Sequence, residues 1–416
     1  MAAGTTSRVS AAHGGHPALS RLVAVDPETF AGEHWSRRPL VTTAADLPGG
    51  LTGLFDEDAV DELVSRRGLR APFLRVARDG RTLGDREFTQ GGGVGATVTD
   101  QVSDDKLLRL FGDGSTIVLQ GLHRTWGPLI DFTQQLAEDL GHPVQANAYV
   151  TPSQSTGFSD HYDVHDVFVL QVAGEKRWRV RAPVHPAPLR DEPWTDHRAA
   201  VEEAARAEPE LELTLRPGDV LYLPRGWIHS ATALGGVSTH LTLGVHVWTR
   251  RHLADELVGL ALASASRDER VRASLDITPS GFDRDSLAAD IDIVRESLIR
   301  GLGSVDAGAV VDALEARVRV AQRPAPIRPL AQVAAADTLT PATGLRLRAH
   351  VDARLIPDPQ GSVTLRSRLG DRPVAPHDVG TFVALVGGGV LRADMVRMEL
   401  ARQLLREGFL VLADPT

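Results

Sequence analysis

The stretch Ser159-Asp-His161-Tyr-Asp163-Val-His165-Asp-Val-Phe-Val-Leu-Gln171 decides how this chain folds. It places polar, potentially metal-binding side chains directly before a run of β-branched and apolar residues. In an extended strand, residues two apart share a face, so His161 and Asp163 present an imidazole and a carboxylate to one point. A His-x-Asp string alone is common, and it also fits an exposed polar loop that holds no metal.

A second segment strengthens the metal interpretation. It is Leu215-Arg-Pro-Gly-Asp-Val-Leu-Tyr-Leu-Pro-Arg-Gly-Trp-Ile-His229, which has the pattern turn, strand, Pro/Gly turn and histidine. A rolled, double-stranded barrel would bring His229 to His161 and Asp163. Two histidines and one carboxylate leave three octahedral positions open, as in non-haem Fe(II) oxygenases. An α-keto acid can chelate such an ion while dioxygen takes the last position.

Composition limits the other kinds of chemistry. The 416 residues include no cysteine, which excludes disulfides, thiolate zinc sites, iron–sulfur clusters and cysteine nucleophiles, but they include 15 histidines. The 45 Lys and Arg against 54 Asp and Glu give a net charge of -9, which argues against nucleic acid as the main partner. The first twenty residues lack the pattern of a secretory signal, and no apolar run reaches membrane-spanning length. We therefore expect a cytoplasmic protein that does not associate with membranes.

The length predicts two or three domains, and the pattern of strands and helices indicates where they lie. Residues 19–147 mix helix and strand signals, and residues 144–249 are rich in short strands, which is typical of a sandwich or barrel. The proline-rich loop 185–210 is expected to be a surface excursion. Strands are predicted at 144–151, 166–172, 177–180, 211–215, 220–223 and 238–249, and helices at 56–67 and 127–140.

The pattern changes after residue 249. Three amphipathic helices are predicted at 252–274, 285–301 and 307–322, followed by a proline-rich linker at 323–329. The terminal segment predicts a small α+β domain, in which strands 344–355 and 362–368 pair. From Asp337 to Thr416 it carries ten Lys and Arg against nine Asp and Glu, so it has no basic surface for nucleic acid. The predicted division is a disordered N-terminus at 1–18, a catalytic domain at 19–250, a helical domain at 251–323 and a terminal domain at 330–416.

Several motifs resemble one family. The chain is similar to the Jumonji-C-type ribosomal oxygenases, which are cupin-like 2-oxoglutarate-dependent protein hydroxylases, closely from about Phe30 to Trp248 and more loosely beyond. The resemblance implies an α+β chain with a double-stranded β-helix (cupin, or jelly-roll) catalytic domain, a helical bundle that dimerises and a winged-helix-like C-terminal domain. The matching motifs are Phe30-Ala-Gly-Glu-His-Trp35, Asn147-Ala-Tyr-Val-Thr-Pro152, Gly157-Phe158, His161-Tyr-Asp163, Val167-Phe-Val-Leu-Gln171, Gly174-Glu-Lys-Arg-Trp-Arg179 and Pro224-Arg-Gly-Trp-Ile-His229.

Carried over by position, the resemblance implies that His161, Asp163 and His229 bind Fe(II). Lys176 matches the basic residue that pairs with the distal carboxylate of 2-oxoglutarate. Asn147 and Tyr149 match polar residues that line the cosubstrate and substrate region. On spacing alone, Lys176 would be a solvated lysine, Asn147 an ordinary strand-end residue and Tyr149 a core aromatic.

Two further histidines lie near the proposed ligands in the sequence. His165 would share the ligand face if the strand ran unbroken, but the family varies at this position, so we expect it to line the pocket without binding the metal. His240 and Thr242 share a strand face and are expected around the pocket, because the family has a non-ligating histidine at the position of His240. Gly244 and His246 depart from the Ser and Tyr of the eukaryotic branch, on the side that faces the substrate.

The leading hypothesis is an Fe(II)- and 2-oxoglutarate-dependent dioxygenase that hydroxylates a protein side chain. By resemblance, the acceptor is a histidyl or arginyl residue of a ribosomal protein, and the enzyme is a homodimer. One alternative is a related hydroxylase of a small molecule or a biosynthetic peptide. A closed pocket would favour a small-molecule substrate. A second alternative is a non-catalytic protein that binds its partner through the C-terminal domain.

Overall fold

A computed structural model describes residues 16–47, 49–78, 80–153, 155, 158–276, 284–358 and 360–413. The described chain divides into two units, one ending at Val247 and the other beginning at Trp248. Within the described residues, no helix is both long and apolar enough to span a membrane.

The first unit is built on one antiparallel sheet of nine strands, with helices and a two-stranded pair beside it. Its strands are β1 Leu40–Thr42, β2 Leu74–Arg78, β3 Arg81–Thr82, β4 Thr89–Gln90, β5 Gln101–Val102, β6 Thr116–Leu119, β7 Val144–Thr151, β8 Asp166–Arg181, β9 Leu211–Leu215, β10 Val220–Leu223 and β11 Ile228–Val245. Its helices are α1 Pro27–Thr29, α2 Glu57–Arg66, α3 Asp104–Gly112, α4 Leu122–Thr125, α5 Gly127–Leu140 and α6 Arg198–Ala204, with a π-helical turn at Phe30–His34.

Two long, bent strands organise this sheet, whose order is β1-β10-β8-β11-β7-β6-β2-β3. β8 pairs along its whole length with β11, and the register shifts between Leu234 and Thr239. On its other edge, the second half of β8 pairs with β9 and the first half with β10, so the Pro217-Gly218 turn lies beside the bend. The sequence predicted β8 as two strands and missed residues 228–237 of β11. Bending inside continuous strands produces the roll that the double-stranded barrel prediction required.

Gly174 marks the bend in β8. Its φ of +61° lies in the left-handed region, and a Cβ at this position would lie 2.1 Å from the carbonyl oxygen of Val237. Both the backbone conformation and the close approach of β11 therefore require glycine. The Ala173-Gly174 pair, which the sequence suggested as a turn, bends the strand without ending its pairing.

The roll covers both faces of the sheet. One face packs against α5, whose Leu129, Phe132 and Leu136 lie in the main core with Leu74 and Val76 of β2. α5 has the expected amphipathic spacing and ends at Gly141, whose φ of +70° terminates the helix. The opposite face of β8, β9 and β10 forms a second cluster with Trp178. The alternation along each strand therefore separates a helix-covered face from an inward face.

The proline-rich loop after β8 is more ordered than a surface excursion. Its helix α6 buries Val201 completely against Tyr162 and Ile228, which flank the two metal-binding motifs. The Tyr162 hydroxyl also donates to the Glu192 carbonyl oxygen at 3.0 Å. These apolar and hydrogen-bond contacts hold the loop against the residues around the site.

The predicted N-terminal segment 1–18 is wrong at its inner end, where the chain is ordered from residue 16. Ala18 is buried, and its backbone N–H donates to the Asp139 carboxylate of α5 at 2.8 Å. Residues 1–15 lie outside the described part of the chain.

The second unit contains helices in the three expected regions and a small α+β region, but the first predicted helix, 252–274, ends at Ala265 and is followed by a separate short helix. Its helices are α7 Arg250–Ala265, α8 Glu269–Arg272, α9 Arg284–Ser304, α10 Ala307–Ala321, α11 Pro329–Asp337, α12 Val379–Val386 and α13 Met398–Arg406. Its strands are β12 Gly344–Leu347, β13 Arg354–Pro357, β14 Val363–Arg366, β15 Arg372–Val374, β16 Leu391–Arg392 and β17 Leu410–Leu412.

The predicted strand 344–355 is wrong as a single element. Residues 348–353 interrupt it, and His350 and Asp352 have positive φ angles that a continuous strand does not allow. β12 pairs with β16 and β17, whereas β13 pairs with β14, so the two halves lie in different sheets. The predicted pairing with residues 362–368 applies only to β13.

Candidate metal centre and cavity

The backbone brings the two metal-binding motifs side by side. His161 and His229 form an antiparallel bridge, in which each backbone N–H donates to the carbonyl oxygen of the other, at 3.2 Å and 2.8 Å. The Gly226 N–H donates to the Asp163 carbonyl oxygen at 3.0 Å. The potential ligand atoms of His161, Asp163 and His229 lie within 4.8 Å of one another, and no other such group occurs among the described residues. The structure thus brings together the predicted triad.

Both imidazoles are oriented through their Nδ1 atoms. Nδ1 of His161 lies 2.7 Å from the Ser159 carbonyl oxygen, and Nδ1 of His229 lies 3.0 Å from the Trp227 carbonyl oxygen. A carbonyl accepts only from a protonated Nδ1, so in a neutral ring held this way the second nitrogen, Nε2, carries the free lone pair. This is the tautomer that a metal ion binds.

The electrostatics favour the metal-binding protonation states of Asp163 and His229. Burial alone would raise the pKa of Asp163, but His165, His229 and His161 together hold it below its usual value. Burial, reinforced by His161, lowers the pKa of His229 to about 4. At neutral pH the site therefore contains an ionised carboxylate and a neutral His229 imidazole.

The distances fit a divalent transition metal. His229 Nε2 and Asp163 Oδ2 are 3.7 Å apart. Two ligands that each bind an ion at about 2.1 Å can be separated by at most about 4.2 Å, so one ion can contact both atoms. Two nitrogen donors and one oxygen donor suit a non-haem iron ion with open positions.

The triad lies on a cavity of about 250 Å³. Its walls combine strands from both halves of the roll with two aromatic side chains, Phe158 and Trp194, whose rings lie 6.1 Å and 6.4 Å from the His161 ring. The lining residues are Arg75, Thr116, Tyr149, Thr151, Phe158, His161, Asp163, Val167, Val169, Lys176, Trp178, Trp194, His229, Ser230, Ala231, His240 and Thr242.

Lys176 is buried in this cavity instead of being a solvated lysine. Its side chain donates from Nζ to Thr151 Oγ1 at 3.1 Å and to His240 Nδ1 at 3.0 Å. Burial lowers the pKa of Lys176 to about 7. Burial and the charge of Lys176 hold the pKa of His240 well below its usual value, so His240 accepts the hydrogen bond as a neutral ring.

Tyr149 and His240 form one wall of the cavity. Their rings stack at a centroid distance of 4.9 Å and are nearly parallel. Burial, together with the negative charge of Asp163, raises the pKa of Tyr149 to about 12, so its hydroxyl remains protonated. Thr242 also lines the cavity. These residues take the pocket positions expected of them.

Asn147 does not line the cavity. Its Oδ1 accepts a hydrogen bond from the backbone N–H of Gly121 at 3.0 Å, at the start of α4. This contact ties β7 to the segment between β6 and α5, which supports the interpretation of Asn147 as a strand residue over that of a cosubstrate contact.

His165 also lies away from the cavity lining. Its ring packs over Gly244, where an added Cβ would lie 2.5 Å from the imidazole, and its Nε2 is 3.0 Å from Gln145 Nε2. His246 lies 5.3 Å from it, centroid to centroid. Gly244 therefore leaves the space that His165 occupies, which accounts for a glycine at this position.

Sequence reasoning missed several cavity residues. Phe158, Thr151 and Ser230 lie within or next to the quoted motifs and could have been found there. Trp194 comes from the loop after β8, where Arg198 lies 4.5 Å above its ring. Arg75 and Thr116 lie on β2 and β6, which carry no motif. Only the strand pairing brings them to the cavity.

Comparison with known proteins agrees with this architecture. Residues 128–253 match the JmjC domain. The chain is 34% identical over 221 residues to ribosomal oxygenase 1 of Gallus gallus, covering 52% of this chain and 34% of that protein. It is 29% identical over 239 residues to the bifunctional lysine-specific demethylase and histidyl-hydroxylase NO66 of Drosophila persimilis, covering 56% of this chain and 32% of that protein. The chain thus spans about a third of the length of these curated relatives.

A solved structure extends the similarity over nearly the whole chain. The ribosomal oxygenase YcfD of Escherichia coli, in complex with cobalt and 2-oxoglutarate, superposes with a TM-score of 0.51 and 16% identity, covering 94% of this chain and 99% of that one. At this identity the likeness concerns the fold. The resemblance to JmjC ribosomal oxygenases and the cupin-type architecture are both confirmed.

Proposed function

We propose that this chain, whose residues 128–253 carry a JmjC domain, is an Fe(II)- and 2-oxoglutarate-dependent dioxygenase that hydroxylates a side chain of a protein. The observation that carries the proposal is the convergence of His161, Asp163 and His229, with both imidazoles oriented through Nδ1, on a cavity that contains a buried lysine. The curated relatives named as ribosomal oxygenases and as a histidyl-hydroxylase support this chemistry.

Two groups of residues bind the two ends of the cosubstrate: the triad acts at the metal end and Lys176 at the distal carboxylate. When bound, iron with 2-oxoglutarate and dioxygen couples oxidative decarboxylation to hydroxylation of a C–H bond. His161, Asp163 and His229 would hold the ion, and the Ser159 and Trp227 carbonyl oxygens fix the two imidazole rings. Lys176 binds the distal carboxylate, and His240 and Thr151 orient its ammonium group. Phe158 and Trp194 flank the site that the acceptor side chain enters.

The proposed substrate is a ribosomal protein, with a histidyl or arginyl side chain as the acceptor. The names of the relatives support this choice. Two aromatic walls beside the metal ligands also suit a planar, cationic or amphipathic side chain, which stacks favourably on aromatic rings. The net charge of -9 favours a basic partner over nucleic acid.

Incubation of the purified protein with Fe(II) and 2-oxoglutarate tests the proposal. We expect succinate formation that rises when ribosomal proteins are added, and mass spectrometry should show one of those proteins gaining one oxygen atom. Omission of iron is the control. If succinate forms without modification of any ribosomal protein, the substrate is a peptide or small molecule instead. If no succinate forms and no metal is retained, the chain is not an oxygenase of this type.

The division of the chain into three domains is also a proposal. We assign residues 19–250 to the catalytic domain, 251–323 to a helical domain and 330–416 to a winged-helix-like domain. Helices α11, α12 and α13 beside the sheet β16-β12-β17 support the last assignment, because a winged helix combines three helices with a small antiparallel sheet. Its charge balance does not favour nucleic acid. The cytoplasmic location stays a prediction.

The proposed enzyme is a homodimer that associates through its helical domain. Several large apolar side chains on these helices are exposed, and a second copy of the same surface would bury them. Variants Leu262→Glu and Ile299→Glu should shift the mass measured by light scattering from dimer to monomer, while Val390→Glu, in the C-terminal region, should not. A monomeric wild type would contradict the proposal. The exposed residues include Leu253, Val258, Leu262, Ile291, Val294, Ile299, Leu302 and Val311.

A further inference from the structure

Arg75 is a cation that lines the cavity and forms no ion pair with the described residues. Its Nε is buried and has no hydrogen-bond partner, and among the described residues no carboxylate pairs with it. Its neighbours Leu74 and Val76 are fully buried in the main core on the other face of β2, so the side chain of Arg75 faces inward. Arg78 on the same strand differs, because it donates to Ser115 Oγ at 3.0 Å.

Strand pairing and hydrogen bonds connect Arg75 to the part of the cavity wall that carries Lys176. Arg75 pairs with Val118 of β6, which in turn pairs with Tyr149 of β7. Thr116, on the same β6 strand, contacts Thr151 through their hydroxyl oxygens at 3.3 Å, and Thr151 accepts from Lys176. The wall therefore continues from Arg75 through two threonine hydroxyls to the ammonium group.

The positive charges on this wall favour the binding of an anion. Among the described residues that line the cavity, Arg75 and Lys176 are the cations, and Asp163, which belongs to the proposed metal centre, is the carboxylate. A guanidinium remains protonated and matches a carboxylate through two parallel N–H donors, whereas the buried ammonium is a point charge. A five-carbon keto diacid has one carboxylate that can bind the metal and a second, distal carboxylate that can bind Arg75 and Lys176.

We propose that Arg75 binds the distal carboxylate of the cosubstrate together with Lys176, and so makes the site selective for a dicarboxylate. The inference rests on the proposed function and adds a specificity-determining residue to it. Its geometric basis is the unpartnered guanidinium on the wall that carries Thr116, Thr151 and Lys176.

The test measures binding, without turnover, by isothermal titration calorimetry of the full-length protein loaded with Mn(II) under anaerobic conditions. The ligands are 2-oxoglutarate and 2-oxopentanoate, which has the same five-carbon chain but no distal carboxylate. For Arg75→Gln we expect 2-oxoglutarate to bind about 10- to 100-fold more weakly, the range of a lost charged hydrogen bond, and 2-oxopentanoate to bind as to the wild type. Arg78→Gln is the matched control and should change neither affinity.

Two results would overturn the inference: unchanged 2-oxoglutarate binding by Arg75→Gln, or equal losses for both ligands. If Arg75→Gln does not fold, Arg75→Lys replaces it. That variant keeps the charge but loses the paired N–H donors, so it should weaken only 2-oxoglutarate. Failure of the wild type itself to bind 2-oxoglutarate would contradict the proposed function, whereas binding that is insensitive to Arg75 would contradict this inference alone.

Discussion

The Asp163→Ala variant is expected to lose both metal binding and succinate formation. The carboxylate is the proposed anionic ligand of the triad, and without it only two imidazoles remain to hold a divalent cation. Changes to groups that merely orient a ligand cost about 10- to 100-fold in metal affinity, so removal of the ligand itself should cost at least about 100-fold. Titration with Co(II), followed by its visible absorption, measures the affinity, and bound iron after dialysis gives an independent reading.

His165→Ala is the matched control for this prediction. His165 lies two residues after Asp163 and is the sequence rival for the ligand position, but the structure packs it over Gly244, outside the lining of the cavity. We expect this variant to retain Co(II) within a few-fold of the wild type. Loss of metal in His165→Ala together with retention in Asp163→Ala would show that the ligand assignment is wrong.

Lys176→Gln should lose most of the affinity for 2-oxoglutarate. Truncating one partner of a buried, charged hydrogen-bonded pair costs about 2–5 kcal/mol, which corresponds to a loss of about 30-fold or more. Arg177→Gln is the control, because Arg177 is partly exposed and forms an ion pair with Glu212 on the neighbouring strand β9. Calorimetry of the Mn(II)-loaded protein gives both affinities, and wild-type binding by Lys176→Gln would refute the role of this lysine.

The same interaction predicts a pH dependence. Burial lowers the pKa of Lys176 to about 7, so before the carboxylate binds the lysine is charged below this pH and neutral above it. The bound carboxylate favours the charged form, so binding above pH 7 takes up a proton, and the affinity should fall by about tenfold per pH unit there. Titrations in buffers of different ionisation enthalpy count this proton. Lys176→Gln should show neither the uptake nor that slope.

Much of the fold follows from local pattern. Strands 144–151, 211–215 and 220–223 and helix 127–140 coincide with the predictions residue for residue, because each has strong periodicity and clear end signals such as Pro217-Gly218 and Gly141. The incorrect predictions have a common physical cause: a local turn signal does not show whether the strand continues to pair beyond it. Gly174 bends a strand where a glycine usually ends one, and residues 348–353 separate strands that pair in different sheets.

The sequence by itself determined the chemistry of the metal centre. The spacing of His161 and Asp163, and the Pro/Gly turn before His229, need only local extended backbone and one long-range pairing, so their residue types specify the donor set. The tertiary structure decided which other residues reach the cavity. In the sequence, Arg75 lies between two core residues, which is also the pattern of a solvent-facing side chain. Asn147 and Tyr149 lie two residues apart on one strand, so the sequence does not distinguish them. The roll of the sheet turns its second face inward and so places Arg75 in the lining of the cavity. The hydrogen bond from the Gly121 N–H holds the Asn147 side chain away from the cavity.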